Sequence, residues 1–504
     1  MPDPIAFAQR TIWRAPANII TVTNLNDSGP GSLRQALADA SEGDTINFAV
    51  SGTISLTSGE LVIDKSVTIS GQPQSITVTR SSQTQFRIFH VMPGHDVTID
   101  SLYITGGDPN LGSYGGAVLN DHAGLTISNC SLTTNSSTYG GAISSDSSGG
   151  SATLAVLNSS IIGNYVVFSG GGIYDNGGTL TITNSAVSNN TAAYSDNQFA
   201  VGDGGGIYNS GGTLTITNST VNNNLAGVTD PWVVGTGGGI YSSGPLTITN
   251  STISGNQGYL AGGGIAGGVT ITSSTISGNT ANGEHDGQPW GHGGGISGTV
   301  ILTNSTVIGN YAILSGGGIA GGGTITNSTL SGNNGGGISV TGTLEIGNSI
   351  LNASGPNISN NGGTVTSQGY NVCSDDGGGF LNGPGDQVNT DPLLGPLQDN
   401  GGPTFTYELL TGSPAIDAGD PNFTPPPYYD QRGPDFWRMR NGRIDVGSFE
   451  VQAGSGNSHS NNNAHGNSDA DAYADAMHRK MHTHTEAAPQ PCAPPVTAVR
   501  HSIQ

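Results

Sequence analysis

The side chains with the most capacity for chemistry are a few aromatics, carboxylates and histidines confined to short stretches: Tyr194, Phe199 and Asp203; Asp230 and Trp232; Tyr259; Glu284, His285, Asp286, Trp290 and His292; and Tyr311. Rings beside acids suit carbohydrate, because a sugar's C–H face stacks on a ring while its hydroxyls donate to carboxylates. Two carboxylates about 5–10 Å apart could also hydrolyse a glycosidic bond, and Asp203, Asp230, Glu284 and Asp286 are the set that could supply them. Asp203 and His292 occupy equivalent places three repeats apart, about 14 Å at a strand spacing of ~4.8 Å, which is too far for joint action. An elimination that uses Arg or Lys as base or charge stabiliser finds neither between Arg87 and Arg432. Glu284, His285 and Asp286 carry ligand atoms, but adjacent loop residues are not a metal-binding spacing, and no metal site is expected.

What must position these residues is a repeat. The unit GGGIYDNGGTLTITNSAVSNN at 170–190 returns as GGGIYNSGGTLTITNSTVNNN from Gly204, GGGIYSSGPLTITNSTISGN from Gly237 and GGGIAGGVTITSSTISGN from Gly262, with shorter copies at Gly293, Gly316 and Gly335. Leu180, Thr181, Ile182 and Thr183 alternate apolar and polar, the period of a strand with one buried face. Isoleucines 173, 207, 240, 265, 296, 319 and 338 mark steps of 34, 33, 25, 31, 23 and 19 residues. A unit that shrinks so far and still keeps its strands is one coil of a solenoid. The fold class expected is all-β: a right-handed parallel β-helix. Asn129, Asn158, Asn184, Asn218, Asn250, Asn304, Asn327 and Asn348, with Ser273 the exception, fall at one repeat position. They suit a left-handed turn and amides stacked along the axis. The chemistry-bearing stretches (165–169, 191–203, 225–236, 257–261, 280–292 and 311–315) all interrupt the repeat just before its glycines, so they emerge on one face. There Tyr194, Phe199, Trp232, Tyr259, Trp290, His292 and Tyr311 are candidate ligand-binding residues; equally, such rings pin long loops onto the coils. Outward Thr-x-Thr pairs, such as Thr181/Thr183 and Thr215/Thr217, make a flat array like an ice-binding face, although threonine is common on any exposed strand.

The chain has 504 residues, 83 of them glycine, and a formal net charge of −22. That charge argues against nucleic acid and anionic membrane surfaces as partners. Cys130, Cys373 and Cys492 form no disulfide framework, and Cys130 is read as a small residue filling a turn. No apolar run is long enough for a transmembrane segment, and the first twenty residues contain no readable secretion signal. Residues 1–18 form an irregular leader. An N-terminal cap and first irregular coils span 19–114; the cap is a helix over 31–40 with Ser32 as N-cap and Leu33, Ala36, Leu37 and Ala40 on its apolar face. Regular coils run over 115–356 and a different, C-terminal capping segment over 357–452. Residues 453–504, with six of the eleven histidines including His478, His482 and His484, read as a disordered tail. Asp417, Asp420, Asp430, Asp445 and Glu450 surround Arg432 in sequence and predict a cap held by an Arg–carboxylate network. No cofactor is expected; calcium is the one ion such carboxylates would suit.

The stretches 391–420, Asp430-Gln431-Arg432-Gly433 and Asp445-Val446-Gly447-Ser448-Phe449-Glu450 resemble the choice-of-anchor Q domain of bacterial surface and secreted proteins. TVTNLNDSGPGSLRQAL near the N-terminus resembles the CSLREA-type leader of the same class, and the GGGIY and NST coils resemble right-handed β-helix and polymorphic outer-membrane proteins of pectin-lyase-like fold. The resemblance implies an extracellular or cell-surface location. With the residues above, the expected function is adhesin-like binding of a polysaccharide or cell-surface glycan. The alternatives are a carbohydrate-active enzyme using the four acids, a structural spacer, and an ice-binding face.

Overall fold

The computed structural model describes residues 17–148, 150–192, 200–227, 233–285 and 288–452. A full coil contains four strands, as in Ile173–Asn176, Thr179–Thr183, Ala186–Ser188 and Thr191–Ala192. Each pairs in parallel with its equivalent one coil on: Ile173 with Ile207, Leu180 with Leu214, Val187 with Val221 and Ala192 with Ala226. The first two strands of every coil build one long sheet of 23 strands, the third a sheet of 13 and the fourth a short sheet of 7. This is a parallel β-helix. From Ile296 onward the corner between the first two strands opens out and they merge, as Ile296–Thr303, Ile319–Thr326 and Ile338–Gly347. Loss of that corner is how a coil shortens without losing its rung. The inward side chains, among them Ile173, Leu180, Ile182 and Val187, are fully buried and form one continuous core.

The three glycines of GGG have separate reasons. The first turns the chain at positive φ, +71° at Gly170 and +66° at Gly237. The second passes so close to the next coil that a Cβ on Gly205 would lie 2.3 Å from the Gly238 carbonyl oxygen. The third abuts a buried asparagine, Asn190 in the case of Gly172.

The asparagines predicted to turn do so: φ is close to +50° at every member of that column, including Ser273. The continuous amide ladder belongs to a second, fully interior column: Asn135, Asn164, Asn190, Asn224, Asn256, Asn279, Asn310 and Asn333. Each interior member uses its whole hydrogen-bonding capacity. The Asn190 Nδ2 donates to Asn224 Oδ1 (3.0 Å) and Ile161 O (3.0 Å), while its Oδ1 accepts from the backbone and side-chain nitrogens of Asn164 (3.0 Å each). Beside it runs a serine ladder in which the N–H of Ser185 donates to Ser219 Oγ and that of Ser219 to Ser251 Oγ. Cys130 takes a serine's place in this ladder, its Sγ against Ser128 O.

At the N-terminal end the helix Leu33–Asp39, capped by Ser32, buries Leu33, Ala36 and Leu37 against the first coil. The C-terminal capping segment divides into two parts. Phe380 and Leu381, following the short turn Gly377–Gly379, pack on the end of the core. Residues beyond 392 instead double back along the flank. There they cover the outward Ile350 and Val372 with Leu409, Ala415, Val446 and Phe449. Gln431 donates to Thr275 Oγ1 and accepts from Thr306 Oγ1, and Ser448 meets Thr329. The Arg432 guanidinium lies between the rings of Phe436 and Phe449 (3.9 and 3.7 Å to the centroids) and pairs with Asp430 at 2.6 Å. Of the other acids, Asp445 accepts from the Asp417 N–H, and its own N–H donates to Glu450.

An interior polar column at one corner contains one titratable member. Asn120, Ser145, Asp175, Asn209 and Ser242 follow one another coil by coil, all buried. Neither Asp175 oxygen has a well-formed hydrogen bond, and Asn209 Oδ1 is also without a donor. Burial pushes the Asp175 carboxyl up to about 6, only partly offset by the Ser145 hydroxyl and the Gly178 amide.

Two outcomes follow. Asn256→Ala leaves the Asn224 amide groups without an acceptor and Val221 O without a donor; the expected loss is roughly 2–4 kcal/mol, read as a lower urea midpoint. The native state holds the Asp175 proton more tightly than the unfolded chain, so this stabilisation is complete below the unfolded value of 3.8, declines above it and is gone once pH passes about 6. Asp175→Asn should remove on the order of 3 kcal/mol of that pH dependence, seen as a flatter melting temperature between pH 4 and pH 7 (roughly the span of the two values).

Candidate functional site

In the strand that begins each full coil, isoleucine faces the core and the next residue must face out. That residue is tyrosine in three consecutive coils, Tyr174, Tyr208 and Tyr241, directly in register. A rung is about the thickness of a ring stack, so the rings lie parallel, with centroids 5.1 and 4.9 Å apart and interplanar angles of 0° and 6°. One coil earlier the same position is Ser144. Its small side chain leaves room that Tyr139 and Tyr114 occupy from the residue preceding the glycine corner, where the two are bridged. Tyr139 lies 5.1 Å from Tyr174, 5.1 Å from Tyr114 and 5.3 Å from Phe168. Six rings therefore make a stripe along the outer face of the long sheet. Tyr114, 40% exposed, is at its N-terminal end.

Two residues further along the same strands, on the same face, charged groups gather. Asp121 pairs in register with Asp146, and Asp146 with Asn176. His122 is held between Asp121 Oδ1 (2.5 Å from Nδ1) and Ser148 O (2.5 Å from Nε2). Both partners can accept, so this setting favours the doubly protonated ring; the Ser148 carbonyl first and Asp121 second raise its pKa. Asp146 accepts from Asn176 Nδ2 (3.0 Å) and from the Ser148 N–H (2.9 Å), and although burial opposes it, these hydrogen bonds lower its pKa. The chain of contacts continues from Asp121 Oδ2 to His90 Nε2 (3.5 Å), from His90 Nδ1 to Glu60 (3.3 Å) and from Glu60 to Arg87 (3.1 Å). Ligand-type atoms of Asp121, His122 and Asp146 lie within 4.8 Å of one another. As folded, both His122 ring nitrogens are engaged by oxygens.

The residues singled out from sequence are distributed differently. Tyr194, Phe199, Asp230, Trp232 and Asp286 lie outside the described residues. Asp203 spans one rung, accepting from Thr236 N–H (2.9 Å) and Oγ1 (2.7 Å), and burial raises its pKa. His292 follows Thr236 and Ala261 in the same column, Nδ1 3.0 Å from Ser315 Oγ. Asp203 and His292 are thus three rungs apart, as the spacing requires. Glu284 is in a small hairpin, Glu284–His285 with Gln288–Pro289, and its backbone carbonyl accepts from the Tyr259 hydroxyl. Tyr259 therefore pins that loop. Trp290 is 45% exposed, and the half-buried Tyr311 sits in the short sheet beside Thr280. The threonine columns occupy the second strand of each coil, interrupted by the half-exposed Ile301 and by Glu345.

The stripe and the charged cluster were not anticipated from sequence. The signal was tyrosine at one repeat position in three successive copies, together with the last basic residue before the regular coils, Arg87.

No family model matches this chain, and no curated protein matches it; the choice-of-anchor Q resemblance gains no support there. Among solved structures the chain is similar to pectate lyase Pel9A, at 16% identity over 87% of this chain and 97% of that one (TM-score 0.39). It is also similar to the Dettilon tailspike protein gp208, at 14% identity over 70% and 69% of the two chains (TM-score 0.31). A third likeness is to ORF18 of Geobacillus virus E2, at 13% identity over 69% and 60% (TM-score 0.27). At these values the parallel ladders themselves define the fold.

His122 should titrate above an ordinary histidine, and Asp121→Asn should bring it down; NMR titration of the ring nitrogens reads both.

Proposed function

We propose that the protein is an exported, adhesin-like β-helix that binds a glycan along the outer face of the long sheet, from Tyr114 to Tyr241. The observation that carries this reading is the six-ring stripe with Asp121, His122, Asp146 and Asn176 beside it. A solenoid surface offers few places where apolar edges, phenol hydroxyls and carboxylates run side by side for several rungs, and sugar rings present that same alternation of C–H and hydroxyl. The insert loops carrying Trp290 and His292 lie further along the coils and could extend the surface. Export is supported by the resemblance of the C-terminal stretches to choice-of-anchor Q segments.

A hydrolytic reading attaches to the same face. Asp121 and Asp146 bring carboxylate oxygens within 4.8 Å, close to the spacing of retaining glycosidases. Hydrogen bonds from Ser148 and Asn176 lower the Asp146 pKa against the effect of burial, which suits it to the carboxylate role, and His122 stands beside the pair as a candidate proton donor.

The deciding experiment is a glycan array paired with reducing-end release from bound polysaccharides. Binding without release establishes the binder; release that Asp146→Asn abolishes establishes the enzyme. Tyr208→Ala should weaken binding on the order of tenfold, as loss of an aromatic anchor does, while the melting temperature reports how much of the change is lost stacking.

A further inference from the structure

The charges around the stripe restrict what can lie on it. On one side the outward positions are Asp121 and Asp146; on the other, Asp203 precedes the glycine corner of the coil that carries Tyr208. Burial first and the neighbouring phenols second raise the Tyr174 and Tyr208 pKa values, with a smaller contribution from Asp146 at Tyr174 and from Asp203 at Tyr208. The cations nearby are committed. Arg87 is paired with Glu60 at 3.1 Å, and His122 is held by Asp121 and Ser148 O. The sequence has no other Lys or Arg until Arg432, and Arg432 belongs to the flank segment, buried against Asp430. A polymer laid along the stripe therefore passes Asp121 and Asp146 on consecutive rungs and Asp203 two rungs further on, and meets no unpaired lysine or arginine.

We infer that the ligand of this face is a neutral polysaccharide, whose hydroxyls donate to Asp121, Asp146 and their neighbours, and that uronate and sulfated polymers are excluded by charge. A uronate carboxylate beside Asp121, Asp146 or Asp203 would face like charge at close range, where repulsion is strongest and least screened. Hydroxyl donors, by contrast, are what ionised carboxylates take. This rests on the glycan reading above and narrows its substrate class.

The test measures binding of the full chain to mannan, xyloglucan, polygalacturonate and alginate by calorimetry at low and high salt, with the Asp121→Asn/Asp146→Asn variant in parallel. The expected result is binding to a neutral polymer that salt leaves within about twofold, as contacts without ion pairing require. Uronate binding should be at least about tenfold weaker. The double variant should lose affinity for the neutral polymer and narrow that gap. Uronate binding that exceeds neutral binding and falls with salt would overturn the inference while leaving the glycan reading standing. Absence of binding to all four, with the melting transition intact, would overturn the glycan reading and this inference with it.

Discussion

Everything in this molecule depends on one requirement: each coil must return to the same place one rung later with its corner polar groups paired. Buried amides and carbonyls that lack partners are costly, and a corner is where the sheets cannot supply them. The asparagine ladder answers this by satisfying four hydrogen-bonding positions per side chain across three coils. The glycine corners answer it sterically, since a Cβ at the second glycine would lie as little as 2.3 Å from a neighbouring carbonyl oxygen. With both corners fixed, the isoleucine, leucine and valine columns stack without further instruction.

The same register that fixes the core also writes the surface. A residue type repeated at one outward position becomes a line along the axis, with neighbours about 4.8 Å apart. Tyrosine repeated in three coils becomes a ring stack, and threonine becomes two flat columns. Substitution of one member is equally legible: Ser144 in the tyrosine column opens the space into which Tyr114 and Tyr139 fold. The flank is governed differently. Ile350 and Val372 point outward, and the segment from 392 to 452 exists as ordered structure because it covers them.

Much of the fold was legible in the sequence because its signals are local and periodic. Isoleucine spacing gave the coils, and the asparagine column gave the left-handed turns. The second asparagine column was less visible, since a buried amide and an exposed turn amide look alike in a sequence. The candidate site was harder still. Attention to the variable inserts selected Asp203, which proves to be a strut to Thr236, and Tyr259, which pins the insert of the following coil. The residues that converge, Glu60, Arg87, His90, Asp121, His122 and Asp146, come from four successive early coils of irregular length, and only the strand register brings them together. Of the five acids expected around Arg432, Asp430 pairs with it, Glu450 meets it through its backbone carbonyl, and the rest bond elsewhere; the segment's seat against Thr275 and Thr329 lies more than a hundred residues away.

The asparagine ladder also gives the solenoid a direction. Backbone hydrogen bonds between the coils point both ways along the axis, so their dipoles largely cancel. The side-chain amides are not symmetric: from Asn135 to Asn310 each Nδ2 gives one N–H to the next asparagine toward the C-terminal end and the other back to a backbone carbonyl, while each Oδ1 accepts from the N-terminal side. At one end Asn135 Oδ1 receives the Gly107 amide, and at the other Asn333 Oδ1 receives Asn310. Eight amides linked in one direction polarise one another in a low-dielectric core, so the ladder itself has a donor end and an acceptor end.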